Sequence, residues 1–217
     1  MAADPPGDPC VHRFREAVAA GAIPFAVQGP ENALCLDTGR SIGFEVIEAM
    51  GHFIDRVFVQ VGGGALATCL ALAAADEGIH PCLHTVQTQG CAPLERAWRQ
   101  AQSLGVGAAP KRWDECMWPW ESEPRSAADG ILDDETYDWV GAVQGMAASG
   151  GTPVVVTEAQ VLEAHDLGRR LTGIDVSATG TAGLAGLLAI RDQVADDERV
   201  VVLFTGRERA RPGTAAP

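Results

Sequence analysis

Lysine is nearly absent from this chain of 217 residues, in which Lys111 is the only one. The sequence also lacks closely spaced cysteine pairs, a stretch typical of a signal peptide and an apolar run long enough to span a membrane. Acidic residues outnumber basic ones by 29 to 16, and the resulting net charge of −13 repels nucleic-acid phosphates and anionic lipids. We therefore expect a cytoplasmic protein that binds neither nucleic acids nor membranes.

The most informative segment that is present is a glycine turn between a strand pattern and a helix pattern. Residues 57–61 form a short apolar run, three glycines follow at 62–64, and an apolar, alanine-rich run begins at Ala65. Consecutive glycines allow a sharp turn with exposed amide groups, and the start of a helix adds free N–H groups and the positive end of a dipole. The sequence therefore predicts a phosphate site at residues 62–65.

Short β-branched runs alternate with longer helical ones along the chain, which is typical of an α/β fold. The apolar spacing predicts strands near residues 23–27, 57–61, 82–86, 154–156 and 200–204. It predicts helices near residues 10–21, 41–51, 93–104, 133–146 and 180–191, and a capping box at Thr157 and Gln160 predicts one more helix. Residues 105–130 hold three tryptophans without any period, so we expect either a dimer or lid contact or a structural cover over the core.

The glycine turn is compatible with more than one phosphate ligand. A dinucleotide fingerprint fits formally at Gly62, Gly64 and Ala67, but the next predicted strand ends without the carboxylate that would hold a ribose. A nucleotide-triphosphate loop is excluded because no Gly-Lys-Ser/Thr follows. A compact monophosphate held by consecutive amides remains, and pyridoxal phosphate is the leading candidate.

Histidine and cysteine residues also occur close together in the sequence, at His80, Cys82, His84 and Cys91. Their spacing lacks the tight pairs of structural zinc sites, so we predict no metal site. A Ser–His–Asp arrangement has no support from a nucleophile-elbow motif.

Several segments, in a fixed order, resemble one enzyme family. They are residues 36–45, the glycine turn with the strand before it, and residues 84–87, 154–160, 179–186 and 201–206. Together they resemble the tryptophan-synthase-β-like (fold type II) pyridoxal-phosphate enzymes, and within them most closely threonine synthase and threonine/serine dehydratase. The resemblance covers the C-terminal portion of such an enzyme. It implies a three-layer α/β/α fold with an open, mostly parallel sheet that is incomplete at its N-terminus.

The resemblance also assigns domains and site residues. It implies the end of a small N-terminal domain at residues 1–33, a phosphate-binding large domain at 34–206 and a flexible tail at 207–217. The amides of Gly62, Gly63, Gly64 and Ala65 would hold the cofactor phosphate. Thr205, with Thr181 as the second choice, would place a neutral hydroxyl against the pyridine nitrogen, which tempers the electron sink and favours elimination at the β-carbon.

One departure from the family limits what this chain can do alone. The family binds its cofactor covalently through a lysine far on the N-terminal side of the glycine turn, and no lysine precedes Gly62 here. Lys111 lies downstream in the tryptophan-rich segment, so we predict no catalytic residue in this chain. The expected partners are a small amino-acid substrate and either further copies of the chain or a complementing N-terminal polypeptide.

Two functions therefore stay open at the level of the sequence. The first is a part of a lyase-type enzyme that acts on a hydroxy- or phosphohydroxy-amino acid by β-elimination or β/γ-replacement. The second is a non-catalytic remnant of the same fold that binds phosphate or a partner.

Overall fold

The computed structural model describes residues 9–208, which form a four-stranded parallel sheet between two layers of helices. The strands are β1 (Arg56–Gln60), β2 (Cys82–Thr88), β3 (Pro153–Val156) and β4 (Val200–Val202). The helices are α1 (Pro9–Ala19), α2 (Leu34–Met50), α3 (Ala65–Asp76), α4 (Pro93–Leu104), α5 (Trp113–Cys116), α6 (Trp139–Ser149), α7 (Glu158–Thr172) and α8 (Ala178–Ala189). The strand order is β3-β2-β1-β4, and every neighbouring pair is parallel. The predicted three-layer α/β fold is thus confirmed.

Each face of the sheet buries its own apolar cluster. Val57 and Val59 of β1 contact the cluster under α2, α3, α4 and α6, whereas Phe58 between them contacts the cluster under α7 and α8. This alternation follows from the two-residue period of a strand, and burial on both faces explains why β1 reads as a continuous apolar run.

Helix α8 lies unusually close to the sheet because small residues face it. A Cβ atom at Gly183 would lie 3.0 Å from the carbonyl oxygen of Phe58, and one at Gly186 would overlap with the side chain of Val86. A Cβ at Gly180 would lie 2.6 Å from the carbonyl oxygen of Gly206. The three-residue glycine spacing therefore allows one helix to pack directly on β1, β2 and the segment after β4.

Three predicted elements differ in the structure, and one of them is α2, which begins at Leu34 and not near residue 41. Residues 23–27 form no strand and have no ladder partner among residues 9–208, and Ile23, Phe25 and Val27 are 91%, 97% and 73% exposed. Helix α6 begins at Trp139 and not at residue 133, because the amide of Asp138 donates to the carbonyl oxygen of Gly63 at 2.8 Å. The acidic residues before it contact neighbouring segments and do not form a first helical turn.

The tryptophan-rich segment covers the core. Trp113 packs edge-on against the fully buried Trp139, with ring centroids 5.3 Å apart. The guanidinium of Arg96 lies 3.8 Å from the ring centre of Trp118, and its Nη1 donates to both carboxylate oxygens of Glu121 at 2.9 Å. These contacts fix the segment against α4 and α6 and favour the structural-cover interpretation.

The expected division of the chain at residue 33 stays a prediction, although α2 begins at the next residue. Of the expected tail, all but Arg207 and Glu208 lies outside the described residues. Within residues 9–208, no helix is both long and apolar enough to cross a membrane.

Candidate functional site

The glycine turn connects the end of β1 to the start of α3. Gly64 precedes the helix with φ of +93°, a left-handed conformation in which a Cβ would also lie 2.8 Å from Cγ2 of Thr136. The amide of Thr68 donates to the carbonyl oxygen of Gly64 at 3.1 Å. The amides of the first helical residues, Ala65, Leu66 and Ala67, precede this bond and are of the kind that an α-helix leaves without an intrahelical acceptor.

The segment before α6 holds the turn from the other side. The carbonyl oxygen of Gly63 accepts the hydrogen bond from Asp138, and a Cβ at Gly62 would lie 3.1 Å from Cα of Ile131 and would overlap with Oδ2 of Asp133. The absence of a side chain at Gly62 therefore lets a carboxylate approach the turn. The turn is a packed element with a fixed shape.

A cavity of about 250 Å³ opens beside the turn. It is smaller than the roughly 300–1,000 Å³ typical of sites for drug-sized ligands, so it suits a small molecule or one end of a larger one. Its lining consists of the turn with the first residues of α3 and four side chains from other segments: Val27, Gln28, Gln60, Gly62, Gly63, Gly64, Ala65, Leu66, Ala67 and Asp133.

The electrostatics of the cavity come from the backbone. Within the described residues, its lining contains no lysine, arginine or histidine, and Asp133 is its only ionisable side chain. The N-terminus of α3 supplies the attraction for an anion through its amides and its dipole. These residues fit a phosphate group held by backbone amides, whereas the Asp133 carboxylate opposes its negative charge.

Gln60 connects the cavity to Thr205. It is the last residue of β1, is 5% exposed and lines the cavity, and its Nε2 donates a hydrogen bond to Oγ1 of Thr205. Thr205 follows β4, is exposed and lines a separate hollow with residues 173–176. The predicted site residues thus fall into two groups, the turn and Thr205, and Gln60 lies between them.

The position of this pair in the sheet is itself informative. The chain runs from β1 to β2 and β3 in one direction, and it then returns to place β4 on the opposite side of β1. Open α/β sheets bind ligands beyond the carboxyl ends of their strands at such a reversal. Gln60 at the end of β1 and Thr205 beyond β4 lie at that reversal.

Asp138 is the second carboxyl group near the turn. Its backbone binds Gly63, and its side-chain oxygens accept hydrogen bonds from the amide of Gly29 at 3.0 and 3.1 Å. Burial raises the pKa of Asp138 to about 6, although the bonds from Gly29 act in the opposite direction. This residue ties the segment before α2 to the glycine turn.

Other candidates from the sequence lie elsewhere. Lys111 is exposed on a short 3₁₀ helix and does not line the cavity. Thr181 is buried, and its hydroxyl donates to the carbonyl oxygens of Ser177 and Ala178 at 3.2 Å, as a mid-helix threonine commonly does. Nδ1 of His84 lies 3.1 Å from the carbonyl oxygen of Thr152. These contacts support structural roles for Thr181 and His84.

Gln60, Asp133 and Asp138 were not predicted as site residues. Gln60 carries one signal, since it is a polar residue at the end of an apolar strand directly before the glycines. For Asp133 and Asp138 the sequence contains no signal that distinguishes them from the acidic residues that commonly begin a helix.

The sequence profile of a family described as pyridoxal-phosphate dependent enzyme matches residues 6–206. Threonine synthase from Methanosarcina acetivorans is 27% identical over 192 residues, which are 84% of this chain and 44% of that protein. Threonine synthase from Mycobacterium bovis is 24% identical over 210 residues, 96% of this chain and 54% of that protein. The chain thus spans about half the length of the curated relatives it matches.

Solved structures share the fold. A threonine deaminase from T.th. has a TM-score of 0.67 at 22% identity, over 83% of this chain and 59% of that one. The serine racemase of Dictyostelium discoideum has a TM-score of 0.62 at 16% identity, over 82% of this chain and 51% of that one. At identities this low, the similarity to these structures shows a shared fold and nothing about function. The family profile confirms the resemblance seen in the sequence and pyridoxal phosphate as the predicted cofactor.

Proposed function

The chain belongs to the pyridoxal-phosphate dependent enzyme family, and on that premise we propose that it is the phosphate-binding part of a cytoplasmic lyase-type enzyme. The proposed reaction is β-elimination or β/γ-replacement on a hydroxy- or phosphohydroxy-amino acid, as in threonine synthase or threonine dehydratase. Residues 34–206 would be the phosphate-binding domain, and residues before 34 would belong to the smaller one. The observation that carries the proposal is the set of amides at the start of α3, which opens onto a cavity of about 250 Å³.

The chain's own residues would bind and orient the cofactor. The amides of Gly62, Gly63, Gly64 and Ala65 would hold its phosphate, and the Thr205 hydroxyl would contact its ring nitrogen. When bound, pyridoxal phosphate supplies an electron sink for negative charge that develops on an amino acid. A neutral hydroxyl at Thr205 would keep that sink moderate, which favours loss of a β-substituent.

The covalent step would need a lysine from outside these 217 residues. Lys111 is exposed and does not line the cavity, so we assign no catalytic residue in this chain. A partner surface is available at residues 23–27, where the large apolar side chains of Ile23, Phe25 and Val27 are all exposed. We infer that this segment pairs with a complementing N-terminal polypeptide or, without one, with a second copy of the chain.

The absence of any basic group from the described lining also favours a second candidate. A non-catalytic remnant of the fold would keep the amide cradle and bind phosphate or a partner without turning over an amino acid. The two functions differ only in whether a lysine-bearing polypeptide restores turnover.

Ligand binding tests the cradle. Nitrogen-15 NMR of the wild-type chain should show that pyridoxal phosphate and inorganic phosphate shift the amide signals of residues 62–65, whereas pyridoxal without phosphate leaves them unchanged. Equal shifts with pyridoxal, or none with either phosphate compound, would contradict the proposal.

Chemical trapping tests the missing lysine. Borohydride reduction of the chain with pyridoxal phosphate, followed by peptide mass spectrometry, should give no cofactor adduct on Lys111. Lys111→Arg is the matched control, because it keeps the charge and removes the reactive amine. A Lys111 adduct formed at cofactor concentrations that saturate the cradle would overturn the assignment.

The partner surface has its own test. The isolated wild-type chain should self-associate in analytical ultracentrifugation, and Phe25→Ser should reduce that association. Phe53→Ser is the control, because Phe53 is also exposed, at 71%, but lies outside residues 23–27. Equal effects of the two substitutions, or a wild-type chain that stays monomeric, would contradict the assignment of this surface.

A further inference from the structure

Gln60 has contacts that a purely structural strand residue would not need. Among residues 9–208, it is the one side chain that both lines the cavity beside the glycine turn and hydrogen-bonds Thr205. Space for it is made by Gly183, where a Cβ would lie 3.0 Å from its Oε1. The chain therefore keeps room in α8 for a buried amide where an apolar residue would pack more simply.

The amide of Gln60 is only partly satisfied within the described residues. Its Nε2 donates to Thr205, but its Oε1 is buried and has no hydrogen-bond partner among them. Buried polar atoms without a partner are costly, and each one in a native structure calls for an explanation such as a functional role. The Gln60 amide thus makes its hydrogen bond to Thr205 while its own oxygen stays without a partner.

We propose that Gln60 is a positioning residue that fixes the direction of the Thr205 hydroxyl, so that this hydroxyl donates a hydrogen bond to the ring nitrogen of pyridoxal phosphate. For the identity of the ligand, this inference rests on the proposed function. A threonine hydroxyl has one proton to donate and two lone pairs to accept with. The Gln60 amide occupies one lone pair, and a hydroxyl that accepts a hydrogen bond becomes a stronger donor.

The consequence is a defined protonation state at the ring. The ring nitrogen can accept a hydrogen bond from Thr205 only when it is unprotonated. Gln60 therefore selects the unprotonated ring and weakens the electron sink through Thr205, without touching the ring itself. An acidic residue at position 60 would do the opposite, because its carboxylate would accept a hydrogen bond from the Thr205 hydroxyl and leave the ring only the lone pairs of that hydroxyl.

The first arm of the test needs no cofactor. Urea unfolding is measured for the wild-type chain, Gln60→Met, Thr205→Val and the double variant. A hydrogen bond between the two side chains predicts that the double variant deviates from additivity by roughly twofold to tenfold in the unfolding equilibrium constant. Strict additivity would overturn the proposal. If Gln60→Met does not fold, Gln60→Glu replaces it in the cycle. A deviation from additivity between Gln60→Glu and Thr205→Val is then the expected result.

The second arm measures the protonation state of the ring nitrogen directly. Pyridoxal phosphate labelled with nitrogen-15 in its ring is bound to the wild-type chain and to Gln60→Glu, and its chemical shift is recorded at one pH. The wild type should give the shift of an unprotonated nitrogen, and Gln60→Glu should move it toward the protonated value. Gln28→Glu is the control, since Gln28 also lines the cavity and the variant adds the same charge there, away from the Gln60–Thr205 contact.

The outcomes separate this proposal from the proposed function. A protonated ring in the wild type, or equal shifts with Gln60→Glu and Gln28→Glu, would overturn the role of Gln60 while cofactor binding stands. If labelled pyridoxal phosphate does not bind the wild type at all, the proposed function fails and this proposal falls with it. If the first arm nevertheless shows non-additivity, the Gln60–Thr205 contact is correct and only the assignment of pyridoxal phosphate as the ligand is wrong.

Discussion

Replacing Asp133 with asparagine should tighten the binding of phosphate at the glycine turn. The Asp133 carboxylate lies against Gly62 and lines the same cavity as the amides of residues 62–65. The described lining of that cavity contains no basic side chain. Asp133→Asn keeps the shape of the side chain and removes one negative charge, so the change in affinity measures the repulsion between carboxylate and phosphate.

The magnitude follows from the geometry of the turn. An oxygen that touches Gly62 and a phosphate held by neighbouring amides are roughly 5 Å apart, because amide hydrogen bonds measure about 2.9 Å. Coulomb's law gives about 0.8 kcal/mol per pair of unit charges at that distance in water and about 3 kcal/mol at an effective dielectric constant of about 20. The cavity is open to solvent, so we expect about 1–2 kcal/mol, or about fivefold to thirtyfold tighter binding.

Calorimetric titration with inorganic phosphate checks this value. The gain from Asp133→Asn should be largest in dilute buffer and should shrink with added salt, since the screening length falls from about 30 Å at about 0.01 M to about 3 Å at about 1 M. Asp134→Asn is the control, because Asp134 carries the same charge but does not line the cavity. An unchanged affinity of Asp133→Asn at low salt, or an equal gain from Asp134→Asn, would refute the reasoning.

Three further outcomes can be measured by urea unfolding. Gly64→Ala should lose roughly 2–4 kcal/mol, from its positive φ and the contact with Thr136, whereas Gly78→Ala, with a positive φ but open space around it, should lose only about 1–2 kcal/mol; equal losses would speak against the close packing of the turn. Because the folded pKa of Asp138 is raised to about 6, the folded chain binds this proton more tightly, so stability should fall by about 2 kcal/mol as pH rises from about 4 to about 6. Asp138→Asn should remove most of that slope, and a difference between the two proteins that does not vary with pH would contradict the assignment. Thr157→Ala should lose about 1 kcal/mol with the capping box of α7, and no loss would mean that the cap contributes nothing.

Local patterns predicted much of the fold because local forces decide these elements. The helix predicted at residues 93–104 is found with those bounds, and the capping box of Thr157 and Gln160 is present with both of its hydrogen bonds. The glycine turn was also predictable, since a positive φ and a close approach leave few alternatives to glycine.

Two of the elements that were wrongly predicted depended on contacts that the sequence does not display. Residues 23–27 have the alternation of a strand, but the described chain provides no neighbouring strand, and a strand needs a partner for its backbone groups. The acids from residue 133 onward resemble the first turn of a helix, but the glycine turn binds Asp138 and brings Asp133 against Gly62. In the second case a distant segment, the glycine turn, determines where the helix begins.

The glycine turn and Thr205 were both predicted as parts of the candidate site, but the side chain that connects them was not. The phosphate site at Gly62 was predicted from the glycine pattern, and Thr205 was assigned by resemblance. The residue that joins them, Gln60, is separated from Thr205 by 145 positions, and no local pattern reports a contact over that distance.

That separation has a consequence for how the protein comes to be assembled. Strand β4 has three residues, and its pairing with β1 closes the whole intervening chain into a loop. Closing so large a loop is entropically expensive and typically slow. A partly folded chain could therefore expose the glycine turn to phosphate well before Thr205 arrives, so recognition of the aromatic ring would be a property acquired in the last stage of folding.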